Sequence, residues 1–297
     1  MHYDLRRLKK LLLARYSGPM LEAFEQRQRT LITRLRKARK KPSEKAVHDL
    51  RVAVRRMLSM LVLLETVLPA RDARKTRRDL RKLMGKLGPL RDLQTQILQS
   101  DELLGGFPQL TAFRKHLMKE ERRQIRRVEQ ALEKFSPAEF GKTTDALLSQ
   151  LIATLQPGAD RALGGRIVAS MEDTYRRVLA LRDRTNPKNT ATIHKMRIAF
   201  KKFRYMAEIT APYFPRLNRE RLAEMHDYQD RMGAIQDVET LLGTMVLFRK
   251  KSGLTSILVV ENELRRRRQR LIDEFMRTVD EIRFFWSTAQ VESREVV

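Results

Sequence analysis

Val47-His48-Asp49-Leu50-Arg51-Val52-Ala53-Val54-Arg55-Arg56-Met57 returns as Ile193-His194-Lys195-Met196-Arg197-Ile198-Ala199-Phe200-Lys201-Lys202-Phe203, 146 positions on (193 against 47). Both stretches carry apolar residues at helical spacing: Val47, Leu50, Val54, Met57 and Leu61 in the first, Ile193, Met196, Phe200 and Phe203 in the second. At 3.6 residues per turn each set forms one stripe that must face a core. His48, Arg51 and Arg55 fall on a second stripe, about 100° away around the same axis. His194, Arg197, Lys201 and Tyr205 fall on the equivalent stripe of the second copy. A basic row that flanks the core rather than opposing it predicts the partly buried wall of a groove.

A second match follows the first. Gly88-Pro89-Leu90-Arg91-Asp92-Leu93 aligns with Gly233-Ala234-Ile235-Gln236-Asp237-Val238 at nearly the same offset. Two matches in one order mean two homologous halves. The period is far too long for a stacked-repeat solenoid. The expected fold is all-α: two homologous four-helix-bundle halves, about 1–135 and 136–297, each with a short extra helix and related by a pseudo-twofold axis. They are read as one domain over residues 1–297. In the second motif, Gly85, Gly88 and Gly233 are expected to permit close helix approach, and Pro89 to kink or restart its helix. Asp92 and Asp237, set among Arg81, Arg91 and Arg231, are read as orienting arginines or as structural pairs.

The punctuation agrees with helices throughout. Ser17-Gly18-Pro19 opens one, and Lys41-Pro42-Ser43 ends it and caps the next. Pro69-Ala70-Arg71 and Gly105-Gly106-Phe107-Pro108 mark two further ends, and Ser136-Pro137-Ala138-Glu139 reads as a capping box. Breaks are also expected at 156–165, 186–192, 212–215 and Ser252-Gly253. No segment alternates as a strand would. Residues 1–16 are basic and amphipathic and read as a first helix packed through Leu5, Leu8 and Leu12, without a signal-peptide core.

Composition bounds the function. The 297 residues hold 62 Lys+Arg against 36 Asp+Glu, a formal net charge of +26, with 42% hydrophobic residues. So high an apolar fraction builds a core and excludes a disordered basic tail. Such an excess of charge repels itself in a compact fold, so an anionic partner is expected. With no cysteine, disulfides, cysteine-ligated zinc and thiol nucleophiles are excluded. No apolar run approaches the roughly 18 residues of a membrane span.

The stripes suit phosphate. Arginine offers a planar fork to two oxygens, lysine a compact charge, and histidine a proton taken up near neutral pH when an anion arrives. Tyr205 adds a hydroxyl donor. Nothing in the motif supplies a nucleophile, a carboxylate pair or a cofactor site. One such stripe alone would be an ordinary solvated face. Its repetition, with only the off-stripe position exchanged (Asp49 for Lys195), favours a ligand. The run Arg71, Arg74, Arg77, Arg78, Arg81 and Lys82, together with Arg91, is expected to line the same groove. The runs 122–127 and 265–268 are weaker candidates.

These residues resemble the CHAD family, the conserved histidine α-helical domain. Its hallmark is a twice-used His-x-x-Arg-hydrophobic-x-x-basic-basic helix followed by a Gly-x-x-x-Asp helix, and the resemblance spans residues 16–286. It implies two four-helix bundles about a basic central surface, binding of inorganic polyphosphate, and association with polyphosphate granules in the cytoplasm. The implied anion-binding positions are His48, Arg51, Arg55, Arg56, His194, Arg197, Lys201, Lys202 and Arg204. A further basic residue three beyond the first of the pair is present as Arg204 in the second copy, whereas the first has Leu58. The second half is therefore expected to bind more firmly.

Non-catalytic polyphosphate binding is the leading expectation, since a polymer without bases needs no aromatic stacking platforms. RNA or DNA binding is the alternative. A metal-dependent phosphohydrolase built on His48-Asp49 or His226-Asp227 is the weakest reading, because adjacent helical residues point about 100° apart.

Overall fold

A computed structural model describes residues 14–68, 71–155 and 160–287. Among them the chain is all-α, with no strand beyond an isolated bridge between Asn186 and Asn189. In order the helices are α1 (Ser17–Lys40), α2 (Glu44–Leu64), α3 (Arg71–Leu104), α4 (Thr111–Lys134) and α5 (Pro137–Thr154). Then come α6 (Asp160–Arg182), α7 (Thr190–Thr210), α8 (Arg219–Ser252) and α9 (Leu258–Thr278). Short 3-10 turns lie at Pro108–Leu110, Ala211–Tyr213, Thr255–Ile257 and Val279–Phe284. No described helix is long and apolar enough to cross a membrane. The helix expected in residues 1–16 and the end expected at Pro69-Ala70 fall outside the described residues.

Local signals place these ends. Ser43 caps α2 by accepting from the Ala46 N–H at 3.3 Å, and Ser136 caps α5 by accepting from the Glu139 N–H at 3.1 Å. Gly253 ends α8 with φ +70°, a conformation that glycine adopts without a Cβ clash, and its N–H donates to the Arg249 carbonyl at 2.9 Å. Two expectations change in detail. Of the kink or restart expected at Pro89, the restart does not occur, because α3 runs through it for 34 residues. A proline removes one N–H and crowds the carbonyl four residues back; here that residue is the exposed Gly85, which has no side chain to add to the crowding. The break expected across 156–165 is shorter, since α6 already begins at Asp160.

The chain divides into two compact units, each drawing on both halves of the sequence repeat. Unit 1 comprises Met1–Leu87, Arg127–Thr174 and Lys202–Leu222; unit 2 comprises Gly88–Arg126, Tyr175–Lys201 and Ala223–Val297. In unit 1, α1 packs on α2 and α5. The apolar stripe read from the sequence is the core face of α2: Val47, Leu50, Val54, Met57 and Leu61 are fully buried. Asp160, the first residue of α6, reaches across to the start of α1. Its carboxylate accepts from the Tyr16 N–H at 3.0 Å, the Ser17 N–H at 2.9 Å and the Ser17 hydroxyl at 2.7 Å. It thus satisfies amide groups that the helix itself leaves without acceptors.

Unit 2 has an apolar cluster of Leu110, Phe113, Leu117, Val238, Leu241, Met245, Ile257, Val260 and Leu264. Beside Phe200, Phe275 and Phe285, Tyr228 is fully buried and donates its hydroxyl to the Val279 carbonyl at 2.8 Å. The buried Glu261 accepts from Arg249 at 2.6 Å and from Arg265 at 3.3 Å. A carboxylate so enclosed is stable only because both oxygens are met by guanidinium groups.

Adjacent glycines on α6 are not alike. A Cβ at Gly164 would lie 2.6 Å from two ring atoms of Tyr16, whereas one at the exposed Gly165 would meet nothing within 4 Å. The Tyr16 ring has little room to move aside, being buried and set 5.5 Å from the Tyr213 ring. Alanine gains about 1 kcal/mol over glycine inside a helix, and overpacking costs about 1–3 kcal/mol. Gly165→Ala should therefore raise the midpoint of thermal unfolding, and Gly164→Ala should lower it, as followed by circular dichroism.

Candidate anion-binding site

The first basic stripe lies in unit 1. On α2, His48 is exposed, Arg51 and Arg55 are half-buried, and Arg56 is exposed. His48 is thus more open than a groove wall would make it. Asp49, off the stripe, pairs instead with Arg34 on α1 at 3.1 Å. Arg78, Arg81 and Lys82 are exposed on α3, where with Arg71, Arg74, Lys75 and Arg77 they line one open depression. Lys82 also stands 3.8 Å from Asp79.

The second stripe begins in unit 2, where His194, Arg197 and Lys201 on α7 are all half-buried. Nδ1 of His194 is enclosed without a hydrogen-bond partner. The guanidinium of Arg197 lies over Gly233 of α8: a Cβ there would sit 3.7 Å from Nη2 and 3.8 Å from Nε, an ordinary contact. A Cβ at Gly85 would meet nothing within 4 Å. Neither glycine is therefore demanded by close packing, contrary to expectation. One turn beyond Gly233, the half-buried Asp237 feels Arg197, Arg91, Lys201 and Asp92. Unit 2 thus gathers the second His-x-x-Arg helix and the aspartates of both Gly-x-x-x-Asp motifs around one carboxyl. Burial outweighs the pull of the three cations and pushes the Asp237 carboxyl up from its ordinary value, with Asp92 adding to the rise.

The remaining stripe residues lie in unit 1. Lys202 is exposed, but Arg204 and Tyr205 are buried, at 6% and 4% exposure. Arg204 donates to Glu208 one turn on and stacks 4.5 Å over the Tyr205 ring. This corrects the reading of Arg204 and Tyr205 as ligands: both are packed inside the unit, and the Arg204 charge is met by its own carboxylate. In the first copy the positions of Arg204 and Glu208 hold Leu58 and Val62. An ion pair in one copy thus stands where the other has an apolar pair. The expectation that the second half binds more firmly loses its basis.

Glu208 also accepts from Nε of Arg56 at 2.9 Å. Beside this group, Arg27 on α1 and Tyr213 complete a constellation that the sequence did not mark, since neither belongs to a repeated motif. The two His-Asp dipeptides do not act as pairs. Asp49 goes to Arg34, and Nδ1 of His226 meets Asp230, not Asp227, at 2.9 Å. Among the described residues no group of three or more His, Asp or Glu stands close enough to hold a metal ion.

Asp237 gives a prediction with a definite sign. A folded-state carboxyl pKa above its unfolded value adds stability that is complete below about pH 4 and is lost as pH rises through the raised value. Asp237→Asn removes that loss. Between about pH 4 and pH 7 the variant should therefore lose less stability than the native protein, as read from urea unfolding at each pH.

Comparison with known proteins agrees with this architecture. The sequence matches the CHAD domain over residues 22–245. No curated protein is similar enough to count as a match. A solved structure, the CHAD domain from the plant Ricinus communis, superimposes with a TM-score of 0.67 at 19% identity, covering 92% of this chain and 91% of its own. PptA from Streptomyces chartreusis superimposes with a TM-score of 0.69 at 13% identity, covering 90% of this chain and 98% of its own. At such identities the likeness speaks for the fold, while the family match spans most of the sequence: the chain belongs to the CHAD domain family.

Proposed function

We propose that this protein binds inorganic polyphosphate without catalysing a reaction on it. The observation that carries the reading is the repeated His-x-x-Arg stripe. Arg51 and Arg55 in unit 1, and Arg197 and Lys201 in unit 2, are half-buried beside the core rather than spread on an open face. A partly buried guanidinium is held in place and loses little freedom when it forks onto phosphate oxygens. His48, Arg56, Arg78, Arg81, Lys82 and Lys202 are exposed and add charge that draws the polymer in. Arg91 and His194, both half-buried in unit 2, complete the set.

Polyphosphate carries a charge on every internal unit, so it offers each stripe a row of phosphate oxygens. Neither stripe supplies a nucleophile or a pair of carboxylates, which is why we assign binding and no chemistry. The internal repeat supports two homologous four-helix halves, about 1–135 and 136–297, within one pseudo-twofold domain. A protein of this kind would associate with polyphosphate granules in the cytoplasm. Nucleic acid is the competing polyanion.

Replacing His48, Arg51, Arg55, Arg197 and Lys201 with glutamate together should abolish retention on immobilised polyphosphate while circular dichroism remains helical. Unchanged retention would remove these residues from the site. In the native protein, log affinity should fall linearly with log salt. By analogy with single-stranded nucleic acid, each lost phosphate contact should reduce the slope by about 0.7. Excess polyphosphate should displace labelled RNA far better than RNA displaces polyphosphate; the reverse order would make nucleic acid the ligand.

A further inference from the structure

Inside unit 1, three guanidinium groups share one carboxylate. Glu208 of α7 accepts from Arg204 through one oxygen and from Arg56 of α2 through the other, at 2.9 Å. Both oxygens are thereby engaged, and the third cation, Arg27 of α1, is close enough to feel Glu208, Arg56 and the Tyr213 hydroxyl. Its Nη1 donates to the Ala23 carbonyl of its own helix at 3.1 Å, but its Nε is enclosed without an acceptor. The hydroxyl of Tyr213, a residue only 3% exposed, is likewise enclosed without a partner. Three guanidinium groups stand about the Glu208 carboxylate, while Asp160, which also acts on the Tyr213 hydroxyl, is committed to the amide groups at the start of α1, and two buried donors have nothing to donate to.

Buried donors in native proteins are nearly always satisfied, and two like charges in a partly buried place repel more strongly than in water. One oxyanion would repair both defects. The geometry points to a phosphate-binding site formed by Arg27, Arg56 and Tyr213, with Glu208 and Arg204 holding Arg56 in position. Arg56, whose side chain is 47% exposed, gives the open side of the site. Arg27 and Tyr213 form its closed end. Burial, and then the facing Arg56, loosen the hold of Arg27 on its proton more than Glu208 strengthens it. Burial also raises the Tyr213 phenol far above its ordinary range, so that it remains a donor at any physiological pH.

The site takes a compact phosphate: inorganic phosphate, pyrophosphate, or one unit of a longer chain. It lies off both repeated stripes, sharing only Arg56 with the cationic set proposed above, and it stands whether or not the stripes bind polyphosphate. A protein in which Arg51, Arg55, Arg197 and Lys201 are all glutamate keeps this site and disables the stripes. In that background, pyrophosphate should bind once per chain by titration calorimetry and raise the thermal midpoint. Arg27→Gln should weaken that binding at least tenfold, and Tyr213→Phe should weaken it several-fold. Arg27→Lys, which keeps the charge, should retain part of it.

Without anion, Arg27→Gln should unfold at the same temperature as its parent or higher, because a repulsion has been relieved. Binding that survives Arg27→Gln in full would overturn the site. So would an anion-free midpoint that falls in Arg27→Gln, since Arg27 would then be a structural cation already satisfied. Neither result touches the stripes, which are tested by retention on polyphosphate.

Discussion

The constraint that orders this molecule is the scarcity of carboxylates: 36 Asp and Glu must serve a chain with 62 Lys and Arg. A guanidinium group taken out of water needs a counter-charge or a set of acceptors. The buried carboxylates are accordingly shared. Glu261 takes two arginines at once, and Glu208 takes another two. Asp160 is committed to the amide groups at the start of α1. Asp237 stands among Arg91, Arg197 and Lys201 in unit 2. A few carboxylates used more than once thus meet many of the enclosed cations, and around Arg27 in unit 1 they do so only in part. Most of the net charge stays at or near the surface, on one side of helices whose other side builds the core.

That division follows from helix geometry. A stripe of Val47, Leu50, Val54 and Met57 fixes how α2 is rotated, since burying it is worth about 1.5–3 kcal/mol for each large side chain. Once the rotation is set, residues 48, 51 and 55 have no choice of direction. The side chains of His48, Arg51 and Arg55, the ligands proposed above, are therefore placed by packing energy they do not themselves supply. Mutations in the apolar stripe should consequently change the angle at which Arg51 and Arg55 are presented.

This rotation is also what made much of the fold readable from the sequence. Periodicity, the capping serines at 43 and 136, and Gly253 are local signals, and each describes only its own helix. What was not readable depends on a neighbour far along the chain. Gly164 sits in a stretch expected to break, yet its lack of a side chain makes room for the ring of Tyr16. The N–H groups of Tyr16 and Ser17 find their acceptor at Asp160, more than 140 residues away. Pro89 read as a kink or a restart because its cost is local, whereas α3 continues through it between the buried Leu87 and Leu90. Arg27 and Tyr213 carry no motif at all; only the tertiary structure brings them together with Arg56 and Glu208.

Arg204 shows how a repeat can mislead about a site and inform about a core. Aligned against Leu58, it reads as an added ligand in the second half. Aligned together with its neighbour one turn on, it reads differently: Arg204 and Glu208 stand where the first copy has Leu58 and Val62. A buried ion pair and an apolar pair of similar volume are close to interchangeable in stability, whereas half of an ion pair is not. The two copies therefore differ by a substitution of both partners, which leaves the net charge of the helix unchanged. What it does change is the neighbourhood: Glu208 brings a carboxylate within reach of Arg56, and this tethers one arginine of the first copy through a residue of the second. The asymmetry between the halves thus lies less in how much charge each presents than in which arginines the Glu208 carboxylate holds.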